Sequence, residues 1–378
     1  MKAHELVARQ RLVAARRVVV KVGSQALCQA DGRLDSRTVA GLCQEIAALW
    51  DTGREVVLVS SGAVASGTGE LGGRPSGQDL GKQALAAIGQ PLLMARYRQE
   101  FAIARRHVGQ VLLTHADLGD RSRFLHARRV MGELLAAGVV PIVNENDTVA
   151  VEELKFGDND QLAAQVAHLV EAEALVLLTE VDGLYTANPH TDDDARMVTF
   201  VGPRDHAALA AAGDGKSAFG TGGMRSKVLA ANKAGAVGVV TAIAAGKRQD
   251  VLRDLLAGQP VGTVFAPPAG KLQGRRSWLA TSGRARGVLH LDDGAARAIA
   301  SGTRSLLPAG VVRVSGQFAV GDPVDLADPA GAVLARGLVR YASDDAAKVC
   351  GLRSEQIAGV LGWLPAGELV HRDDLVVL

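Results

Sequence analysis

Aromatic residues make up only 3% of this 378-residue chain, so its core must be built from Ala, Val and Leu rather than from stacked rings. Cysteine is scarcer still. Cys28, Cys43 and Cys350 form no C-x-x-C pair and no zinc-like spacing with histidine. That excludes a disulfide framework and suits a reducing compartment. Long apolar runs are missing too. Stretches such as Ala174–Thr179 are far too short to cross a bilayer. The opening MKAHELVARQRLVAARR alternates charge with small apolar residues and has no signal-peptide h-region. A cytoplasmic protein with no membrane partner is the expectation. A dominant charge is also lacking: a net charge of +2 is too small to argue for nucleic acid or a membrane surface.

What is present is length, glycine and a patterned alternation. Hydrophobic residues at 48% and charged residues at 22% suit a globular protein, and 378 residues imply two domains. The 44 glycines suit tight turns and close approach of backbone to a ligand. From Arg17 to about Phe265, β-branched runs alternate with Ala- and Leu-rich helical stretches. The runs are Val18–Val22, Glu55–Ser60, Gly109–Leu113, Val139–Val143, Ala174–Leu178, Val237–Ala242 and Gly262–Phe265. Such alternation predicts an α/β fold, a largely parallel sheet between two layers of helices. Around Ala266–Gly287 prolines, glycines and arginines cluster as at a boundary, and shorter strand-like runs follow. The expected division is a first domain over 1–275 and a small β-rich domain over 284–378.

Ligands of open α/β sheets sit at the carboxyl ends of the strands. There the chain places Lys21-Val22-Gly23-Ser24 and Ser60-Ser61-Gly62, whose small residues could turn amides toward an anion. Thr221-Gly222-Gly223-Met224-Arg225-Ser226-Lys227 is stronger, because glycine amides can wrap phosphate oxygens while a lysine supplies charge. Gly67-Thr68-Gly69-Glu70-Leu71-Gly72 matches G-x-G-x-x-G literally, but it falls too far past its strand to be a dinucleotide fingerprint. The strand Val139–Val143 delivers Asn144, Glu145, Asn146 and Asp147, and Asp158, Asn159 and Asp160 follow. Amides and carboxylates this dense suit a zwitterionic ligand.

The segments VVVKVGS, VLVSSGAVASG, GKQALAAIGQ, QVLLT, VPIVNENDTVAVEELKFGDNDQLAA, LLTEVDGLYTANP and GTGGMRSK run in an order that resembles the glutamate 5-kinase branch of the amino-acid kinase family. GVLHLDDGAARAI, SLLPAGVV and GLVRYAS resemble a PUA domain. The resemblance implies a three-layer αβα sandwich plus a PUA domain. It implies phosphorylation of the L-glutamate side-chain carboxylate by ATP with Mg²⁺, the first step of proline biosynthesis. Proline as feedback inhibitor, a homo-oligomer (dimer or tetramer) and RNA as a partner of the PUA domain are further expectations. It implies catalytic roles for Lys21, Lys227, Asp158 and Asp160 and substrate contacts for Ser61, Asp147, Asn159 and Asn144. It implies nucleotide contacts for Lys21, Gly23, Ser24, Thr179, Glu180, Thr221, Gly222, Gly223, Met224, Arg225, Ser226 and Lys227. No metal-ligating residue is expected. Three departures stand out: Glu180 where Asp is frequent, and Ser60 and Ser226 where Thr is frequent. The competing readings are a kinase of a related carboxylate such as N-acetylglutamate, and RNA binding through Arg275, Arg276, Arg284 and Arg286.

Overall fold

The computed structural model describes residues 3–29, 31, 33–72, 80–150, 159–189, 191–203, 205–212, 223–268, 274–281, 283–362 and 367–378. They form two compact units. One comprises Met1–Leu118 and Ser122–Lys271, the other Gly119–Arg121 and Leu272–Leu378.

In chain order the first elements are α1 (Ala3–Ala14), β1 (Arg17–Val22), α2 (Ser24–Leu27), α3 (Ser36–Asp51), β2 (Glu55–Ser60), α4 (Ala63–Glu70) and α5 (Lys82–Ile103). Next come β3 (Val108–Leu113), α6 (His115–Gly119), α7 (Arg121–Ala136), β4 (Val140–Glu145), α8 (Asn159–Leu169), β5 (Ala174–Thr179), β6 (Leu184–Tyr185) and β7 (Met197–Val198). Then follow β8 (Phe200–Val201), α9 (His206–Ala211), α10 (Met224–Ala236), β9 (Val240–Ala245), α11 (Val251–Leu256) and β10 (Thr263–Phe265). Eight strands make one sheet in the order β3-β4-β2-β1-β5-β9-β10-β8. Neighbours are parallel except β9 and β10. The expected αβα sandwich is what forms.

Continuous β-branched strands suit this sheet because both faces are covered. Val18, Val20, Val22, Val56, Leu58 and Ile142 pack with α1, α3, α5 and α11 in one buried cluster. The residues of opposite parity lie on the face that α8 and α10 cover. On this second face Lys21 interrupts an otherwise apolar strand, and it is buried. The ends of the strands are level. Val22 pairs with Ser60 and Leu178, and Val59 with Val143. Gly23, Ser61, Asn144 and Thr179 therefore emerge together at one carboxyl edge.

Helix α5 is held unusually close to α4. A Cβ at Gly89 would stand 1.9 Å from the Ala63 carbonyl oxygen, and one at Gly67 would stand 2.0 Å from that of Leu85. The first glycine of the G-x-G-x-x-G match, Gly67, therefore serves backbone-to-backbone helix packing. The α4 helix begins at Gly62, whose φ of 108° is the left-handed region open to glycine.

The second unit contains α12 (Gly274–Thr281), β11 (Gly287–Leu291), α13 (Asp293–Ala300), β12 (Val311–Gly316), β13 (Pro323–Ala327), β14 (Val333–Val339), α14 (Ser343–Val349), α15 (Ser354–Leu361) and β15 (Val370–Val377). Its five strands form one sheet in the order β12-β11-β13-β14-β15, mostly antiparallel. Its own core gathers Leu289, Leu326, Val339 and Tyr341. None of the helices among the described residues is long and apolar enough to cross a membrane.

Candidate active site

At the carboxyl edge of the large sheet, two lysines from distant parts of the chain meet one carboxylate. Lys21 Nζ lies 2.5 Å from Asp160 Oδ1, and Lys227 Nζ donates to Asp160 Oδ2 at 3.0 Å. Strand β1 supplies the first lysine, the first turn of α10 the second, and the first turn of α8 the aspartate. Asp160 is fully buried. Burial alone would raise its carboxyl, but the Lys21 and Lys227 charges outweigh that and hold it below its ordinary value. The amide of Gln161 donates to the Ser226 carbonyl at 3.1 Å, so the first turns of α8 and α10 are tied together. Two ammonium groups gathered on one internal anion form a cationic pocket that an incoming phosphoryl group could share.

Beside the lysines lies an amide network. Asn159, at the start of α8, donates through Nδ2 to Ser61 Oγ at 2.8 Å, Asn144 Oδ1 at 3.0 Å and the Ser60 carbonyl at 3.1 Å. Its Oδ1 is buried and has no partner among the described residues. That atom is an acceptor left open for a donor. Asp147 is half-buried just past β4, and burial raises its carboxyl. An acceptor amide and a desolvated carboxylate together suit an ammonium group.

The expected nucleotide contacts surround this point in part. Gly23 and Ser24 follow β1, and the Gly23 amide continues the ladder to the Leu178 carbonyl at 3.3 Å. Thr179 ends β5, and its carbonyl accepts from the Gly246 amide at 2.7 Å. Glu180 comes next and is exposed. With the Gln25 amide turned nitrogen-outward, it donates to both Glu180 oxygens at 3.0 and 3.2 Å. Gly223, Met224, Arg225 and Ser226 form the start of α10, where the helix dipole favours anions. The Ser226 hydroxyl is buried without a partner among the described residues. Asp158, Thr221 and Gly222 lie outside the described residues.

Sequence reasoning did not assign Gln25, Gln161, Gln90 or Tyr97. Gln90 accepts from Asn144 Nδ2 at 2.7 Å, and the Tyr97 hydroxyl lies 2.8 Å from Ser60 Oγ. Gln90 does stand in the segment GKQALAAIGQ, so the signal was present without a role attached to it.

Comparison with known proteins gives the family. The family model described as "Amino acid kinase family" matches residues 16–244, and the PUA domain model matches 287–361. The chain is similar to a glutamate 5-kinase of Anaeromyxobacter dehalogenans, 51% identical over 375 residues covering 98% of each chain. It is 48% identical over 372 residues to a glutamate 5-kinase of Myxococcus xanthus, again with 98% of each covered. A glutamate 5-kinase of Chromohalobacter salexigens is 47% identical over 382 residues, covering all of both. With two lysines, a buried aspartate and an amide pocket on the sheet edge, and this likeness along its whole length, the chain belongs to the amino acid kinase family and, within it, to the glutamate 5-kinases.

Proposed function

We propose that this chain transfers the γ-phosphoryl group of ATP to the side-chain carboxylate of L-glutamate, giving L-glutamyl 5-phosphate and ADP. The convergence of Lys21 and Lys227 on Asp160, next to the Asn159 amide network, carries the reading. A glutamate side chain ionises near pH ~4.3, so the attacking oxygen needs no general base at neutral pH. The obstacle is repulsion between two anions. Lys21 and Lys227 offset it by following charge onto the transferring oxygens, while Asp160 keeps both ammonium groups aimed at one point. The start of α10 receives the nucleotide phosphates. Asn159 Oδ1 and Asp147 accept from the substrate's α-ammonium group, and Ser61 helps to fix Asn159. Mg²⁺ fits as a companion of the nucleotide, supplying charge neutralisation on phosphate oxygens. Mg²⁺ of this kind would keep several of its waters and need few protein ligands.

A coupled ADP-release assay tests the reading. Glutamate should be turned over, with kcat/KM for aspartate and N-acetylglutamate at least ~100-fold lower, because a site built for a donor rejects analogues that lack or misplace it. Equal use of N-acetylglutamate would remove the ammonium pocket from the account.

Asp147 provides a second check with a definite sign. Its carboxyl is raised in the folded chain, so the stability it contributes is present below its ordinary value of 3.8 and is lost as pH rises through the raised one. At neutral pH the free protein therefore holds a destabilising buried charge. Asp147→Asn should raise the melting temperature of the substrate-free protein by about 1–3 °C. The same change should raise KM for glutamate by about 10-fold or more, through loss of the charged partner. Protonation of Asp147 should make the wild-type KM rise on acidification, and the variant should flatten that rise. A variant with wild-type KM across pH would exclude Asp147 from binding.

A further inference from the structure

Asn159 Nδ2 has three acceptors, and the residues that supply two of them are braced from the same helix. The Ser60 carbonyl and Asn144 Oδ1 each accept from Asn159 Nδ2. Ser60 and Asn144 lie on the sheet face that α5 covers, whereas Asn159 reaches over the strand ends from α8 on the other face. From α5, Gln90 accepts from Asn144 Nδ2 at 2.7 Å and Tyr97 meets Ser60 Oγ at 2.8 Å. The two positions are seven residues apart, two helical turns, and so share one face.

Main-chain groups fix the polarity of this relay. The Glu145 amide can only donate, and at 2.9 Å it faces the oxygen of the Asn144 side chain. The Asn144 nitrogen must then face Gln90, which must answer with its oxygen. The Ser60 carbonyl can only accept, so the Asn159 nitrogen faces it and the Asn159 oxygen is left toward the pocket. Ser60 Oγ donates to the Ser61 carbonyl at 3.0 Å, so Tyr97 is the donor of its pair. Asn144 is 2% exposed and Tyr97 fully buried. Asn144 thus has both ends of its amide engaged by protein, which lets it support Asn159.

We propose that Gln90 and Tyr97 are positioning residues that set affinity for the amino-acid substrate by fixing the Asn159 amide, without touching the substrate or the nucleotide. The inference rests on the glutamate reading above. It follows that removing either brace lets the pocket acceptor wander while the lysines stay in place. Substrate affinity then falls, and phosphoryl transfer from bound substrate does not.

Steady-state kinetics on the full chain, with calorimetric titration of glutamate, tests this. Gln90→Met should raise KM for glutamate by about 10-fold, with kcat and KM for ATP within about twofold, because a buried amide loses its acceptor. Tyr97→Phe should raise it by about three- to fivefold. Gln90→Glu keeps an acceptor oxygen and should stay within about threefold of wild type. Titration should give the same order. Unchanged glutamate affinity in both Gln90→Met and Tyr97→Phe, or equal rises in KM for glutamate and ATP, would overturn the inference. Tyr97→Phe keeps the test decisive if Gln90→Met fails to fold. Absence of glutamate turnover by the wild type would sink the underlying reading instead.

Discussion

Lys227→Ala should lower kcat by at least about 100-fold, with KM for glutamate changed by less than about threefold. A cation aimed at charge that develops during transfer acts mainly in the transition state, and losing one such group costs about two to three orders of magnitude. Asp160→Asn should fail differently. The carboxylate touches no substrate in this scheme, yet it gathers two ammonium groups that are 5% and 6% exposed. Without it, nothing holds the two side chains at one point. The asparagine variant should therefore lower kcat by about 10-fold or more and also raise KM for ATP by about threefold or more. On the acid side the wild-type arrangement is robust. The Asp160 carboxyl lies below the ordinary 3.8, so its contribution to stability is complete above that value and is lost only as pH falls through the depressed one. Steady-state kinetics on the three proteins decide the matter. Wild-type kcat and KM for ATP in Asp160→Asn would show that the carboxylate does not aim the lysines.

Arg9→Met should destabilise the first unit by about 3–5 kcal/mol, with no change in KM for either substrate in the surviving enzyme. Arg9 is 1% exposed and sits on α1. Its Nε donates to Glu5 Oε1 at 3.0 Å, and Nη1 donates to the carbonyls of Gln259 and Val261 at 2.8 and 3.1 Å. Its Nη2 reaches those of Thr199 and Gly262 at 3.5 Å. One guanidinium thus satisfies the turn that leads into β10 and the segment ahead of β8 at the far edge of the sheet. Thr199 Oγ1 donates back to Glu5 Oε2 at 3.2 Å, closing the circuit. Methionine fills the volume but takes a donor from four carbonyls and from a buried carboxylate; backbone amides still reach Gln259 and Thr199, and Thr199 still reaches Glu5. Adding Glu5→Leu should recover the carboxylate's share of the loss and leave the carbonyls' share, which thermal or urea unfolding of the single and double variants can separate. A melting temperature within 1–2 °C of wild type for Arg9→Met would refute the assignment.

These two sites differ sharply in how much the sequence revealed. Lys21 stands out because a lysine inside an apolar strand is costly unless it has a use, and a glycine follows it. The Asn144–Asp147 run stands out because an apolar strand ends abruptly in amides and carboxylates. Arg9 shows nothing of the kind. In MKAHELVARQRLVAARR it is one basic residue among several, and its carbonyl partners lie 190 to 253 residues away. Gln90 is similar, since its partner Asn144 is 54 residues distant and only the sheet order brings α5 and β4 together. Strand boundaries slipped where a turn intervened. The run expected from Val237 begins as a strand only at Val240, because Val237 caps α10 and Gly238 turns with φ of 85°. In the second unit β15 was not foreseen. Its VHRDDLVV breaks the period-2 alternation with three successive charged residues, which an edge strand tolerates because one side is open. The α15 helix was missed as well, since its eight residues offer little length for a periodic signal.

The glycine contact between α4 and α5 bears on how such a pocket can change over generations of mutation. Because the two helices meet backbone to backbone at Gly67 and Gly89, their spacing depends on no side chain that could be resized. Core residues around them can drift in bulk while the braces on α5 keep their station. Any lineage or engineer seeking a longer acid substrate is thereby steered away from shifting the helix pair, and toward the loops beyond the strand ends, where accommodation does not have to begin with two main chains being forced apart.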